Sequence, residues 1–153
     1  MFTQINYRET FFQHPTLTKI AGDPTYTSLA KLERECKSNA KSILSDLGGG
    51  AQGHLGLVST ATAYDRIAPG TLFVFPAMPP APNTEGTAAV IAANHLAYNE
   101  KLTIFNDCNL IEQTIVQQIN TALDTNVLAD LIDDATGLLL GTIPEIMSEL
   151  YDT

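Results

Sequence analysis

Basic residues are scarce. The 153-residue chain has eight Lys and Arg against seventeen Asp and Glu, a formal net charge of −9. Nucleic acid is polyanionic and its binders present a basic face. A strong grip on DNA or RNA by this chain alone is therefore not expected, and such a role needs a basic segment that is not here. Cysteine is nearly absent: Cys36 and Cys108 are the only two, and neither belongs to a CxxC pair. That pattern fits buried thiols in a reducing compartment, with a single disulfide as the open alternative. Long hydrophobic runs are missing too. The longest is broken by Gly and Asn, so no membrane span is expected. "MFTQINYRETFFQHP" lacks the basic-then-apolar layout of a secretory signal, and the expected location is the cytoplasm. What remains is 44% apolar and 16% charged residues, the balance of a globular chain long enough for one domain with a real core.

The chain reads as an arm followed by helices. Residues 1–23, with "FFQHPTLTKIAGDP", carry prolines, a glycine and β-branched residues, and predict an extended arm. Its Phe11, Phe12, Leu17 and Ile20 either pack across a neighbouring element or reach a second subunit. Residues 24–153 form a single mainly helical domain. Asp23-Pro24 suits a helix start. Tyr26, Leu29, Leu32, Cys36, Ala40, Ile43, Leu44 and Leu47 make one apolar stripe, with Lys31, Glu33, Arg34, Glu35, Lys37 and Lys41 on the wet face. Gly48 is expected to end that helix.

"HLGLV" and "GTLFVFP" predict a small hairpin, with Ser59 or Thr60 capping a short helix "ATAYDRIA" between them. A stiff proline-rich loop at 76–83 follows. Thr84 or Thr87 then opens a long periodic segment through Ala89, Ile91 or Ala92, Leu96, Leu102, Phe105, Cys108, Ile111, Ile115, Ile119 and Ala122. It is either one helix of about ten turns or two meeting near Asn106–Asn109. "TNVLADLIDDATG" gives a further short helix. Thr142 with Glu145 forms a capping box for a last one, buried through Ile143, Ile146, Met147 and Leu150. The chain stops at "SELYDT", inside that helix, as a fragment of a longer polypeptide would.

"SDLGGGAQGHLGLV", residues 45–58, holds five of the ten glycines. A Walker-type phosphate cradle needs a lysine and a hydroxyl residue after its last glycine. Here His54-Leu55 follows Gly53, and the loop follows a helix rather than a buried strand. The stretch reads instead as a structural motif. Gly48 caps a helix, Gly49 and Gly50 allow unusual backbone angles, and Gly53 and Gly56 permit close approach of two backbones. His54 is the one histidine worth testing, either in chemistry or hydrogen-bonded to a loop carbonyl. His14 and His95 are isolated, and no pair has metal-ligand spacing. Asp133-Asp134 reads as a solvated helix end, with a metal site as the weaker alternative. No catalytic, metal or cofactor-binding residue follows from these patterns.

Several motifs together resemble the capsid region of the Gag polyprotein of copia-type LTR retrotransposons, in the branch seen in algae, diatoms and oomycetes. They are "HPTLTKIAGDPTY", "LERECKSNAKSILSDLGGGAQGHLGLV", "AYDRIAPGTLFVFP", "VQQINTALDTNVLADLIDDATG" and "GTIPEIMSELYDT", in family order over residues 14–153. The resemblance implies a helical unit like a Gag capsid N-terminal domain. Many copies would assemble into a shell around element RNA, reverse transcriptase and integrase. Its partner would be itself, with RNA reached only indirectly, through segments not in this chain. No zinc-knuckle CxxC occurs, a departure that argues against direct RNA binding here. Two rival readings remain. One is a host-adopted or unrelated helical protein–protein interaction domain. The other is an enzyme using His54 with Cys36 or Cys108.

Overall fold

A computed structural model describes residues 11–45, 47, 52–71, 73–132, 135–136 and 141–152. Five α-helices carry the described fold: α1 Tyr26–Lys41, α2 Ala61–Ile67, α3 Ala88–Ala122, α4 Thr125–Leu128 and α5 Ile143–Tyr151. Short 3-10 turns sit at Leu55–Leu57 and Ala129–Leu131.

Each boundary has a local chemical cause. α1 is capped by Thr25, not by Asp23. The Thr25 hydroxyl accepts from the Ser28 amide at 3.1 Å, and Ser28 Oγ accepts from the Thr25 amide at 2.8 Å. The helix stops at Lys41, well before Gly48, because Ser42 takes up the exposed carbonyls. Its hydroxyl donates to the Asn39 carbonyl at 2.6 Å, and its amide points at Ser38 and Asn39. Ile43, Leu44 and Leu47 are thus not on the helical stripe, and Leu44 and Tyr26 are exposed. Gly48, Gly49 and Gly50 lie outside the described residues, as do Asp133 and Asp134.

Thr60 caps α2 and Thr87 caps α3. Asn106–Asn109 does not interrupt α3, which runs as one helix of 35 residues. The expected hairpin is replaced. Residues 55–57 close local bonds, with the Leu57 amide donating to His54 and the Val58 amide to Leu55 at 2.9 and 3.0 Å. That spends the groups a ladder would need, and no strand occurs among the described residues. The capping box of Thr142 and Glu145 starts α5, whose Ile143, Ile146, Met147 and Leu150 are buried as the spacing predicts.

One hydrophobic cluster joins Leu29, Leu32, Cys36 and Ala40 of α1, Cys108, Ile111, Ile115, Ile119 and Ala122 of α3, and the apolar face of α5. The arm completes it. Phe12, Leu17 and Ile20 are buried, while Phe11 is exposed. The described part of the arm, from residue 11, therefore packs on its own chain, the first of the two alternatives above.

It is fastened by buried polar side chains. The Asn39 amide accepts from the His14 backbone amide at 2.8 Å and donates to the His14 carbonyl at 2.9 Å and to Gln118 Oε1 at 3.0 Å. Gln118 Nε2 donates to the carbonyls of His14 and Pro15, both at 3.0 Å. Glu35, placed on the wet face by the helical pattern, is buried and accepts from the Thr18 amide and hydroxyl, both at 3.0 Å. The arm ends in a single parallel bridge, Ile20 to Leu123, with the Ile20 amide donating to Ala122 at 2.8 Å.

Candidate functional site

The glycine-histidine turn is a structural joint. Gly53 has φ +55, and a Cβ there would stand 2.5 Å from the Lys41 carbonyl oxygen and 2.6 Å from that of Ile43. It allows the turn to lie directly on the end of α1, the close backbone approach its sequence context suggested. Gly56 makes a different approach: a Cβ there would collide with the Phe73 side chain rather than with backbone.

His54 is buried. Its amide donates to Ala40 at 2.9 Å, and Nδ1 lies 2.9 Å from the Ile43 carbonyl. A carbonyl only accepts, so Nδ1 carries the hydrogen. The loop-carbonyl alternative is the one observed. Phe73 meets this imidazole edge-on at 6.2 Å and Tyr64 at 6.1 Å.

Burial pushes the His54 pKa below its usual 6.5, outweighing the Ile43 carbonyl and Asp107, which push it up. The unfolded chain therefore binds the proton more readily than the folded one. His54 contributes stability above pH 6.5 that is lost progressively as pH falls toward its lower native pKa. We expect the urea midpoint to fall across that acidic window. His54→Gln, which can still donate to the Ile43 carbonyl but does not titrate, should reduce that slope.

Cys36 and Cys108 are free, fully buried thiols. Burial, with nearby acidic groups second, raises both pKa values to about 12. Thiols so protonated are poor nucleophiles. No group of three or more His, Cys, Asp or Glu positioned for a metal occurs among the described residues.

Two hollows open near this region. One of about 240 Å³ is lined by Leu44, Leu47 and Ile104, with Ser45, His54 and Asp107. The other, about 330 Å³, lies between the turn and α5 and holds Ser59, Glu112 and Phe75 among its walls. Ser59 Oγ is buried there without a hydrogen-bond partner among the described residues, and burial raises the Glu112 pKa.

The largest uncovered feature is α3 itself. Its buried positions are Cys108, Ile111, Ile115, Gln118, Ile119 and Ala122, all in the C-terminal half. Counting back eighteen positions, about five turns, gives Val90, Ala93, Ala97, Lys101 and Ile104 beneath Cys108, Ile111, Ile115, Ile119 and Ala122. The same face that builds the core continues outward. There the described residues leave it largely open, with only Ile104 flanked by Leu44 and Leu47. Val90 is 48% exposed and Ile104 41%; Leu96, about a third of a turn around the helix from Val90, is 61% exposed.

A second stripe, Ile91, Asn94, Tyr98, Leu102 and Phe105, is half-buried. The proline-rich segment lies on that side, tied by Asn94 Nδ2 donating to the Asn83 carbonyl at 3.1 Å. The outer half of α3 thus has one side strapped and one apolar side open. Sequence reading placed Leu96 and Ala89 in the core series, whereas both are exposed. It did not separate the two halves of the helix. The visible signal was composition: Ala88–Asn99 has no charged residue, yet five alanines there leave little bulk to build a core.

Among the described residues no helix is long and apolar enough to cross a membrane. No protein-family model matches the chain, and neither a curated protein nor a solved structure matches it.

Proposed function

We propose that the chain is a structural domain of the Gag capsid type, from a copia-type LTR retrotransposon, which works in the cytoplasm by contacting copies of itself to build a shell. One observation carries the reading: the core-forming face of α3 runs on for about five turns beyond the core, where Val90 and Ile104 stay about half-exposed against the described residues. An exposed apolar helix face marks a contact surface, and a shell subunit requires one. Each contact can be weak, because closure of a shell multiplies many of them.

Two further features support it. The net charge of −9 suits a wall whose RNA contact is made by another, basic segment. The motifs "LERECKSNAKSILSDLGGGAQGHLGLV" and "GTIPEIMSELYDT" are those that resemble the capsid region. Their glycine-histidine part serves here as a packing joint, a role that suits a subunit without a reaction centre.

Electron microscopy of the longer polypeptide carrying this chain tests the proposal. Closed or tubular particles are the expected result. A soluble polypeptide that never forms particles and instead holds a stable one-to-one complex with a different protein would overturn it.

A further inference from the structure

We infer that two copies of this chain pair through the outer half of α3, antiparallel and related by a two-fold axis passing at Ala97. The inference rests on the self-assembly reading and specifies its contact. Three observations commit the face to a second copy.

The first is spacing. Val90, Ala93, Ala97, Lys101 and Ile104 form a stripe whose intervals read the same in both directions about Ala97. A two-fold at that residue sets Ala97 on its own counterpart, Ala93 under the Lys101 stem, and Val90 against Ile104. Such an isologous contact uses one patch twice. Small residues at the crossing let the helix axes come close, to roughly 8 Å. The Lys101 stem covers the Ala93 methyl while its ammonium stays in water.

The second is shape. One end of the stripe carries the projecting Val90, and the other carries the hollow of about 240 Å³ beside Ile104, walled by Leu44 and Leu47. The pairing that sets Val90 on Ile104 also aims it at that hollow, twice per dimer. Leu44, 88% exposed, is covered by the same movement.

The third is charge. Two bodies each carrying −9 repel. From Ala88 to Asn106 the helix holds one acid, Glu100, and one base, Lys101. This neutral strip is where a second acidic copy approaches with least opposition. A basic partner would seek the acidic surface elsewhere, and an anionic membrane would be repelled by the molecule as a whole.

Cysteine cross-linking of the intact chain tests the geometry. The native thiols are fully buried, so an introduced one reports alone. Under mild oxidation Ala97→Cys should give a disulfide-linked dimer. Val90→Cys alone should not, but a mixture of Val90→Cys and Ile104→Cys chains should. Ala97→Arg, at an exposed helical position where arginine is well tolerated, should leave the circular dichroism and melting unchanged. It should raise the dimer Kd about a hundredfold or more, as like charges meet at the axis.

Sedimentation velocity of the wild-type chain completes the test. A chain that stays monomeric to millimolar concentration overturns the inference, as does one that stays monomeric yet co-sediments with phosphatidylcholine vesicles. Dimers unaffected by Ala97→Arg and not trapped by Ala97→Cys also overturn it. In that last case particles seen by microscopy would still stand, so failure of the geometry is distinct from failure of the shell reading.

Discussion

Gly53→Ala is expected to cost about 3–5 kcal/mol of folding stability, a large share of the 5–15 kcal/mol typical of a domain. Two effects add. At φ +55 an alanine has about 1–2 kcal/mol of steric strain that glycine lacks. Its methyl would also press on the carbonyl oxygens of Lys41 and Ile43, 2.5 and 2.6 Å away. Backbone oxygens at a helix end cannot swing aside, so the turn must lift off α1. Lifting it breaks the bond from the His54 amide to Ala40 and the Nδ1 contact to Ile43. Gly22 is the internal control. Its φ is +71, but nothing lies within 4 Å of an added Cβ, so Gly22→Ala carries only the strain. Urea unfolding of the two variants should separate them by about 2 kcal/mol or more. Equal losses at the two sites would show that the Gly53 contact is not tight.

Asn39→Leu is expected to be comparably severe, at about 3–5 kcal/mol. Leucine has nearly the right size and is apolar, so a simple view of a core position would predict no loss. The side chain of Asn39 is fully buried and makes three hydrogen bonds, to the amide and carbonyl of His14 and to Gln118. Removing it takes away the side-chain partner of the half-buried His14 amide, at about 1–3 kcal/mol. It also removes one of Gln118's two kinds of partner. The arm should then loosen as a unit. Hydrogen exchange at the amides of His14 and Thr18 should accelerate far more than exchange in α5. A double-mutant cycle with Gln118→Leu should show strong coupling, because the two amides share the His14 carbonyl. Additive losses would mean that the two side chains hold the arm independently.

These two residues show what the chain discloses on reading and what it conceals. Apolar spacing placed α1, α3 and α5 because side-chain periodicity is a local property, repeated every turn. Thr60, Thr87 and the Thr142–Glu145 box were legible for the same reason: a cap satisfies amides within three residues of itself. Asn39 and Gln118 were not legible. Each looks like any polar residue on a helix, and their partners lie 25 and more than 100 positions away. Glu35 misled in the same manner, since charge normally marks the wet face. The expected hairpin failed because "HLGLV" has the composition of a strand. What it does depends on Phe73 seated over Gly56, a contact that no local pattern encodes. Within the glycine-histidine motif, the importance of Gly53 and the loop-carbonyl bond of His54 could be anticipated from residue type. The open face of α3 could not, because periodicity tells which residues share a side and not whether anything stands opposite.

The continuity of α3 has a consequence for energetics. A helix anchored in packed surroundings needs no fresh nucleation to extend, so its outer turns are held by propagation alone. Their five alanines favour the coil-to-helix step, but little burial secures it, and melting proceeds inward from Ala88. Any surface that settles on those turns must first find them wound. Its apparent affinity therefore scales with the wound fraction, and cooling or a helix-favouring osmolyte tightens the contact without touching a single atom of it.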